Sequence, residues 1–176
     1  MNLETAVIGG GCFWCLEAFY NEVKGVVLAK SGYSGGSVPG VPTYREVCSG
    51  LTGHAEVVQI EYDADIIDFK EILTIFFKAH DPTTLNRQGA DVGTQYRSVI
   101  FYNSEKQKNI SQQSIEEFQQ YFDKPIVTEI SELKNYFDAE DYHQGYYKQH
   151  PEQGYCQWVV APKLKSLRKY FSKSLK

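Results

Sequence analysis

A short apolar strand that runs straight into three glycines and then into a helix constrains the fold of this chain more than any other feature. Residues 5–8 have the β-branched and apolar composition of a buried strand, and residues 9–11 are all glycine. In residues 12–23, apolar or thiol side chains then recur at the period of an α-helix. A strand that leads at once into a helix is typical of folds in which helices cover a sheet.

Strands and helices alternate along the rest of the chain. Strands are predicted at residues 26–33, 55–62, 96–102 and 125–130, and helices at residues 104–122 and 139–149. Another helix begins at Asp68, whose spacing to Glu71 is that of a capping box. No repeat or linker interrupts the chain, so we expect one domain, residues 1–176, with an α/β or α+β sheet covered by helices.

The composition is that of a globular domain rather than of a fibrous or disordered chain. Of the 176 residues, 42% are hydrophobic and 23% are charged, both close to the globular average. No stretch approaches the roughly 20 apolar residues that a membrane-spanning helix needs, and no basic segment ahead of an apolar run marks a signal peptide. We therefore expect a cytoplasmic protein whose four cysteines are reduced, and so are catalytic, metal-binding or merely buried.

The basic residues are concentrated at the C-terminal end. The net charge is −4, yet residues 162–176 contain six basic residues and no acidic one. Such a segment can mark a contact with nucleic acid or a membrane. Its apolar residues recur at helical spacing on one face, however, at Leu164, Leu167, Phe171 and Leu175. We therefore expect an amphipathic helix over residues 162–174 that docks on its own domain, in a monomer that binds neither nucleic acid nor membrane.

The strongest chemical signal is Cys12, which follows the glycines at the predicted start of a helix. The free N–H groups and the dipole of a helix N-terminus favour a thiolate, so we expect a lowered pKa and a nucleophilic Cys12. The glycines would leave the backbone bare for a substrate, and Cys15, one helical turn later, could form a disulfide with Cys12. Two buried cysteines on a core helix are the alternative, but the glycines and the aromatic Phe13 and Trp14 favour redox chemistry.

Two other uses of this segment are disfavoured. A closed zinc site needs four ligands, but Cys48 and Cys156 are isolated and the four histidines form no matched pair, so we expect no metal. The glycines are not followed by the Gly-Lys-Ser/Thr of a phosphate loop. Trp14 takes the place of the third glycine of a dinucleotide fingerprint.

Glu56 is an acidic residue within an otherwise apolar strand. If its side chain points inward, burial raises the pKa of the carboxyl and makes it a proton donor. The alternation along residues 55–62 alone favours the opposite orientation, with Glu56 facing solvent. A second polar segment, residues 88–98, has the pattern of a loop that leads into a strand, with Tyr96 at the edge of the strand.

Seven short motifs together resemble one family, the class A peptide-methionine sulfoxide reductases. They run in order over nearly the whole chain: GCFW (11–14), PTYREVC (42–48), TGHAE (52–56), HDPT (80–83), DVGTQYRS (91–98), AEDYHQ (139–144) and GYC (154–156). The resemblance implies a single α/β (α+β) domain in which helices flank a mixed sheet, a two-layer sandwich similar to a ferredoxin-like α/β plait. It implies reduction of the S epimer of methionine sulfoxide, free or in proteins, as repair under oxidative stress. Thioredoxin would be the reductant, with no metal or organic cofactor.

The resemblance also implies roles for individual side chains. The Cys12 thiolate would attack the sulfoxide sulfur, and Glu56, kept protonated by burial, would donate a proton to the oxygen. The hydroxyls of Tyr44 and Tyr96 would assist Glu56. Phe13 and Trp14 would form an apolar wall for the methyl group. Asp91 would lie near the polar groups of the substrate.

The thiols depart from the commonest form of the family. Most members have glycine at position 15 and resolve the sulfenic acid with a cysteine of the C-terminal tail, whereas this chain has both Cys15 and Cys156. Proximity favours Cys15, flexibility of residues 153–155 favours Cys156, and a relay from Cys12–Cys15 to Cys15–Cys156 is also allowed. We favour Cys156 as the thiol that thioredoxin reaches, and we expect Cys48 to be a buried structural thiol.

Two rival functions come from other classes. A general thioredoxin-like disulfide oxidoreductase also has CxxC at a helix start, but it needs neither Glu56 nor the tyrosines. A peptide-binding module would use the aromatic surface that 13 tyrosines and 10 phenylalanines provide, and it would not need Cys12.

Overall fold

The computed structural model describes residues 1–176 and contains eight strands and six α-helices. In chain order they are β1 (Leu3–Gly9), α1 (Phe13–Tyr20), β2 (Val26–Ser34), α2 (Tyr44–Cys48), β3 (Ala55–Asp63), α3 (Phe69–Ala79), β4 (Arg87–Gln88), β5 (Asp91–Val92), β6 (Val99–Tyr102), α4 (Glu105–Phe118), β7 (Glu129–Glu132), β8 (Phe137–Asp138), α5 (Tyr146–Gln149) and α6 (Ala161–Tyr170). None of the helices is long and apolar enough to cross a membrane.

Six of the strands form one mixed sheet in the order β7-β6-β1-β3-β2-β8. All neighbouring pairs are antiparallel except β6 and β7, which are parallel. The central part, β1-α1-β2-β3-α3-β6, has the strand order β6-β1-β3-β2 of a ferredoxin-like plait. The predicted single α/β domain with a mixed sheet is confirmed.

Both faces of the sheet are covered, but unequally. Val58, Ile60 and Tyr62 of β3 belong to a cluster of 29 buried residues that joins the sheet to α1, α3 and α6. The opposite face carries a cluster of five buried residues, among them Val57, which packs against Leu133 and Tyr136. Because β3 is apolar on both faces, the alternation along its sequence cannot show which way a polar residue points.

The C-terminal helix, α6, packs on the rest of its own domain. Leu164 and Leu167 of α6 are buried in the main core. Arg168 donates two hydrogen bonds, of 2.8 and 2.9 Å, to the carboxylate of Glu22 just beyond α1. The backbone N–H of Lys24 donates to the carbonyl of Ser174, which fastens the last residues to the same place.

Two segments differ from the prediction in their helices. The predicted helix at residues 139–149 is broken into a 3-10 turn, Asp141–His143, and the short α5, because Gly145 between them has a left-handed φ of 63°. The loop between β2 and β3 contains α2, which the sequence analysis missed. Its capping box is the signal that could have found it. The Thr43 side chain accepts from the N–H of Glu46, and the Glu46 carboxylate accepts from the N–H of Thr43.

Other strands and helices begin or end at residues that differ from the prediction. The strand predicted from residue 96 begins at Val99, after a 3-10 turn at Thr94–Tyr96. The strand predicted from residue 125 begins at Glu129, because the N–H of Val127 donates to the carbonyl of Pro82 instead of to a strand. The helices predicted at residues 12–23, 104–122 and 162–174 are the shorter α1, α4 and α6.

Candidate active site

Cys12 lies at the junction of β1 and α1, where it is the N-cap residue of α1 with extended backbone angles. The residue is partly exposed. It lies at a cleft of about 210 Å³ lined by Cys12, Trp14, Tyr44, Asp91, Tyr96, Gln153 and Tyr155. The fold therefore brings five of the nine predicted site residues to one cleft.

The glycines before Cys12 were predicted to leave the backbone bare for a substrate. In the structure they are closely packed instead. A Cβ on Gly10 would lie 2.8 Å from the ring of His80, and one on Gly11 would lie 2.7 Å from Gln88. Gly11 also has a positive φ of 88°. The glycines allow close packing of the junction on its neighbours, which fixes the backbone of Cys12.

Glu56 lies beneath the cleft, not on its wall. Its side chain points inward and the residue is only 1% exposed. The N–H of Phe13 donates to Oε1 at 3.2 Å, whereas the buried Oε2 has no hydrogen-bond partner. Burial raises the pKa of Glu56 from 4.5 to about 8, the Phe13 N–H opposes this, and the charge of Asp91 adds to it. The carboxyl is therefore protonated at neutral pH, and the solvent-facing orientation is wrong.

The thiol of Cys12 is not activated in the free site. Burial and then the charges of Glu56 and Cys15 raise its pKa well above the usual range, and a hydrogen bond from the N–H of Trp14 lowers it only in part. The predicted lowering of the pKa by the helix N-terminus is wrong here, because burial outweighs the helix end.

Two tyrosine hydroxyls lie at the cleft from different elements. Tyr44 is the first residue of α2 and Tyr96 ends the 3-10 turn before β6. Burial, followed by the charge of Glu56, raises the pKa of both hydroxyls, so both remain proton donors. Burial raises the pKa of the Cys48 thiol, and the neighbouring Tyr44 hydroxyl opposes this. Cys48 is half-buried rather than buried, which corrects the expectation for this residue.

The aromatic wall is built around Trp14. Its ring stacks on Tyr146 with centroids 3.8 Å apart and an interplanar angle of 7°, and Tyr155 meets it edge-on at 5.8 Å. Its Nε1–H donates to Nδ1 of His143 at 3.1 Å, which fixes the indole. Phe13, by contrast, is 1% exposed and lies under the cleft, 6.4 Å from the ring of Tyr44.

Several residues that complete the cleft had no predicted role. The Tyr155 hydroxyl donates to Asp91 at 2.5 Å and so joins the C-terminal segment to the β4–β5 hairpin. Gln153 lines the same edge. Tyr155 and His143 both lie in motifs that carried the family resemblance, which is the signal that could have found them.

The two candidate resolving thiols lie in the core. Cys15 is 3% exposed and Cys156 is 0% exposed, and both belong to the main hydrophobic cluster. Burial raises the pKa of Cys15 to about 11, Lys163 opposes this, and Cys156 is close enough to add to it. Cys156 opens a π-helical turn, Cys156–Val160, that continues into α6, so the expected flexible tail is not what the free protein has. All four cysteines are free.

The residues of this site do not form a metal centre. No group of three or more His, Cys, Asp or Glu side chains has the arrangement needed to hold a metal ion.

Comparison with known proteins identifies the family. The family model for peptide methionine sulfoxide reductase matches residues 4–175. A peptide methionine sulfoxide reductase MsrA from Saccharolobus solfataricus is 53% identical over 174 residues, 99% of this chain and 98% of that protein. One from Nitratiruptor sp. is 55% identical over 172 residues, 98% of each chain.

Solved structures agree. Mxr1 from Saccharomyces cerevisiae in reduced form has a TM-score of 0.81 and 36% identity over 88% of this chain and 90% of that one. Mxr1 in complex with Trx2 has a TM-score of 0.58 and 28% identity over 82% and 85%. This chain therefore belongs to the peptide methionine sulfoxide reductase family and is an oxidoreductase that reduces methionine sulfoxide.

Proposed function

We propose that this protein reduces the S epimer of methionine sulfoxide, free and within proteins, and that thioredoxin regenerates it. The observation that carries the proposal is the burial of Glu56, which raises the pKa of its carboxyl to about 8, beneath a cleft that Cys12 lines. A nucleophilic sulfur and a proton donor are the two groups that removal of a sulfoxide oxygen requires. We place this activity in the cytoplasm, as repair of oxidised proteins by a monomer without metal or organic cofactor.

In the first step Cys12 supplies the electron pair. Its sulfur attacks the sulfoxide sulfur and forms an S–S bond, while the thiol proton passes to Glu56 and Glu56 gives its own proton to the sulfoxide oxygen. The S–S bond and the bond from the methionine sulfur to the oxygen then break as the hydroxyl moves to the Cys12 sulfur, which leaves Cys12 as a sulfenic acid and methionine as the thioether. Tyr44 and Tyr96 donate hydrogen bonds to the oxygen while negative charge develops on it.

We attribute the choice of epimer to the walls of the cleft. The indole of Trp14 suits the methyl group and the sulfur, since contacts between sulfur and aromatic rings contribute about 0.3–1.5 kcal/mol. With the methyl group on Trp14, only the S epimer directs its oxygen towards Glu56 and the tyrosines. Asp91, already bonded to Tyr155, lies where it would meet polar groups of the substrate.

A second thiol then recycles Cys12. It condenses with the sulfenic acid, water leaves, and a disulfide forms that the dithiol of thioredoxin reduces while becoming a disulfide itself. We propose a relay: Cys15, one helical turn away, forms the first disulfide with Cys12, and Cys156 then attacks Cys15. The burial of Cys15 and Cys156 in the same hydrophobic cluster of the free protein supports this order. The complex of yeast Mxr1 with Trx2, a thioredoxin, supports the reductant.

The test is the fate of the two epimers. The reduced enzyme is given equal amounts of L-methionine S- and R-sulfoxide together with thioredoxin, thioredoxin reductase and NADPH, and the products are separated chromatographically. We expect the S epimer to be consumed and the R epimer to remain. Equal rates for the two epimers would overturn the assignment.

A further inference from the structure

We propose that Glu140 is a positioning residue that holds Tyr44 at the cleft, a role that rests on the proposed function. Its carboxylate collects three hydrogen bonds on one group. Oε2 accepts from the backbone N–H of Tyr44 at 2.9 Å and from the hydroxyl of Tyr142 at 3.3 Å, and Oε1 accepts from the hydroxyl of Tyr33 at 2.8 Å. The side chain lies behind the cleft and does not line it.

Tyr44 needs a support from outside its own segment. It begins the five-residue α2, and most of the loop before it, including Val41 at 73% exposed, is not packed. The first N–H groups of any helix have no partner within the helix. Thr43 satisfies that of Glu46, and Glu140, from 96 residues further along the chain, satisfies that of Tyr44.

The ring of Tyr44 is held from the same side. It lies 4.4 Å from the ring of His143, centroid to centroid, and His143 belongs to the same segment as Glu140. Backbone and ring of Tyr44 are therefore both placed by residues 140–143. An error in the position of this segment would move the Tyr44 hydroxyl.

The segment is in turn fixed to the sheet and to α1. The side-chain amide of Gln144 accepts from the N–H of Ser31 at 3.0 Å and donates to its carbonyl at 2.8 Å. The buried carboxyl of Glu17 accepts from both the hydroxyl of Ser31 and the N–H of Gly145. Through this segment, the hydrogen bond of Glu140 to Tyr44 fixes Tyr44 relative to β2.

The charge of Glu140 suits this task. Burial acts to raise its pKa, but hydrogen bonds from the N–H of Tyr44, from its own N–H and from the hydroxyl of Tyr33, together with the charge of His143, lower it. The carboxylate therefore stays ionised and accepts all three hydrogen bonds. Hydrogen bonds to an ionised acceptor are stronger than those between neutral groups.

The test is a double-mutant cycle on the single-turnover rate at which a peptide containing methionine S-sulfoxide is reduced to the methionine peptide. Glu140→Ala should slow the wild-type enzyme about tenfold, since misplacing a catalytic group costs rate. In the Tyr44→Phe background it should slow the rate less than about twofold, since the hydroxyl it positions is gone. Glu140→Gln, whose amide oxygen can still accept from the Tyr44 N–H, should restore the rate to within about threefold of wild type.

Tyr142→Phe is the matched control, because it removes only the longest of the three hydrogen bonds and should leave the rate unchanged. Equal slowing by Glu140→Ala in both backgrounds, or no slowing by Tyr44→Phe itself, would overturn the role of Glu140. If Glu140→Ala does not fold, a Glu140→Gln variant as slow as Tyr44→Phe would overturn it as well. Wild-type enzyme that forms no methionine peptide would instead overturn the proposed function.

Discussion

The backbone N–H of Phe13 donates a 3.2 Å hydrogen bond to Oε1 of Glu56, and this bond joins the first turn of α1 to β3. Because Phe13 follows Cys12 directly, the bond sets the acid and the thiol in a fixed relation. The second oxygen of Glu56 is buried without a partner, and in the proposed mechanism it meets the oxygen of the substrate. The shift in the pKa of Glu56 to about 8 is the result of the same burial.

Replacing Glu56 by Gln should slow the first turnover by about 10²–10⁴-fold, which is the usual worth of a positioned proton donor. The amide keeps a hydrogen-bond donor but has no proton to transfer, so substrate should still bind. Rapid-quench measurement of methionine release gives the rate, and saturation with substrate gives the affinity. An unchanged rate would show that the tyrosines or water suffice.

The raised pKa of Glu56 also predicts how stability depends on pH. Between pH 4.5 and about 8 the folded protein keeps a proton on Glu56 that the unfolded chain loses. The contribution of this proton to the free energy of unfolding is therefore complete below pH 4.5 and is lost as the pH rises through about 8. The free energy of unfolding should therefore fall, relative to Glu56→Gln, by up to about 1.4 kcal/mol per pH unit. Urea unfolding of both proteins across this range measures it, and parallel curves would contradict the assignment.

Replacing Gly10 by Ala should destabilise the protein by about 1–3 kcal/mol, the usual effect of overpacking. The new Cβ would lie 2.8 Å from the ring of His80. That ring is held by hydrogen bonds to the carbonyl of Phe76 at 2.6 Å and to the hydroxyl of Ser98 at 2.7 Å. Gly154→Ala is the control, since nothing lies within 4 Å of its Cβ. Equal denaturation midpoints for the two variants would contradict the packing described.

The relay predicts different turnover for two variants that each lack one cysteine. Both Cys15→Ser and Cys156→Ser should release the first methionine at the wild-type rate, because the sulfenic acid forms before a second thiol is needed. With thioredoxin present, Cys15→Ser should stall after about one methionine per enzyme. Cys156→Ser should continue slowly, through a Cys12–Cys15 disulfide that lies deep at the cleft.

Peptide mapping of the oxidised enzymes distinguishes the alternatives. A Cys15→Ser variant that turns over like wild type would show that Cys156 alone resolves Cys12. A Cys156→Ser variant with full turnover would show that Cys15 suffices. A dominant Cys12–Cys48 disulfide would contradict every order considered.

Much of the fold could be predicted because its signals are local. The strand before Gly9 and the helical period after it gave β1 and α1, and the same alternation gave the sheet and its helices. Predictions failed where a contact between distant residues decides the backbone. The N–H of Val127 bonds to Pro82 and delays β7, and the left-handed Gly145 breaks a helix that the apolar spacing favoured.

The candidate site shows the same division. The position of Cys12 before α1 follows from its neighbours in sequence, but the orientation of Glu56 depends on β3 having both faces covered. Only the family resemblance indicated that the side chain of Glu56 points inward. The burial of Cys156 arises from the packing of α6 on the core, and the pKa of Cys12 depends on burial that no short motif records.

The most direct test of the account is the dependence of turnover on Cys12. NADPH consumption is followed with a methionine S-sulfoxide peptide, thioredoxin and thioredoxin reductase, for wild type and for Cys12→Ser. We predict sustained turnover by wild type and none by Cys12→Ser, since a serine hydroxyl stays protonated and attacks sulfur poorly. Turnover by Cys12→Ser, or a wild-type enzyme that exchanges disulfides but leaves the sulfoxide intact, would contradict the account.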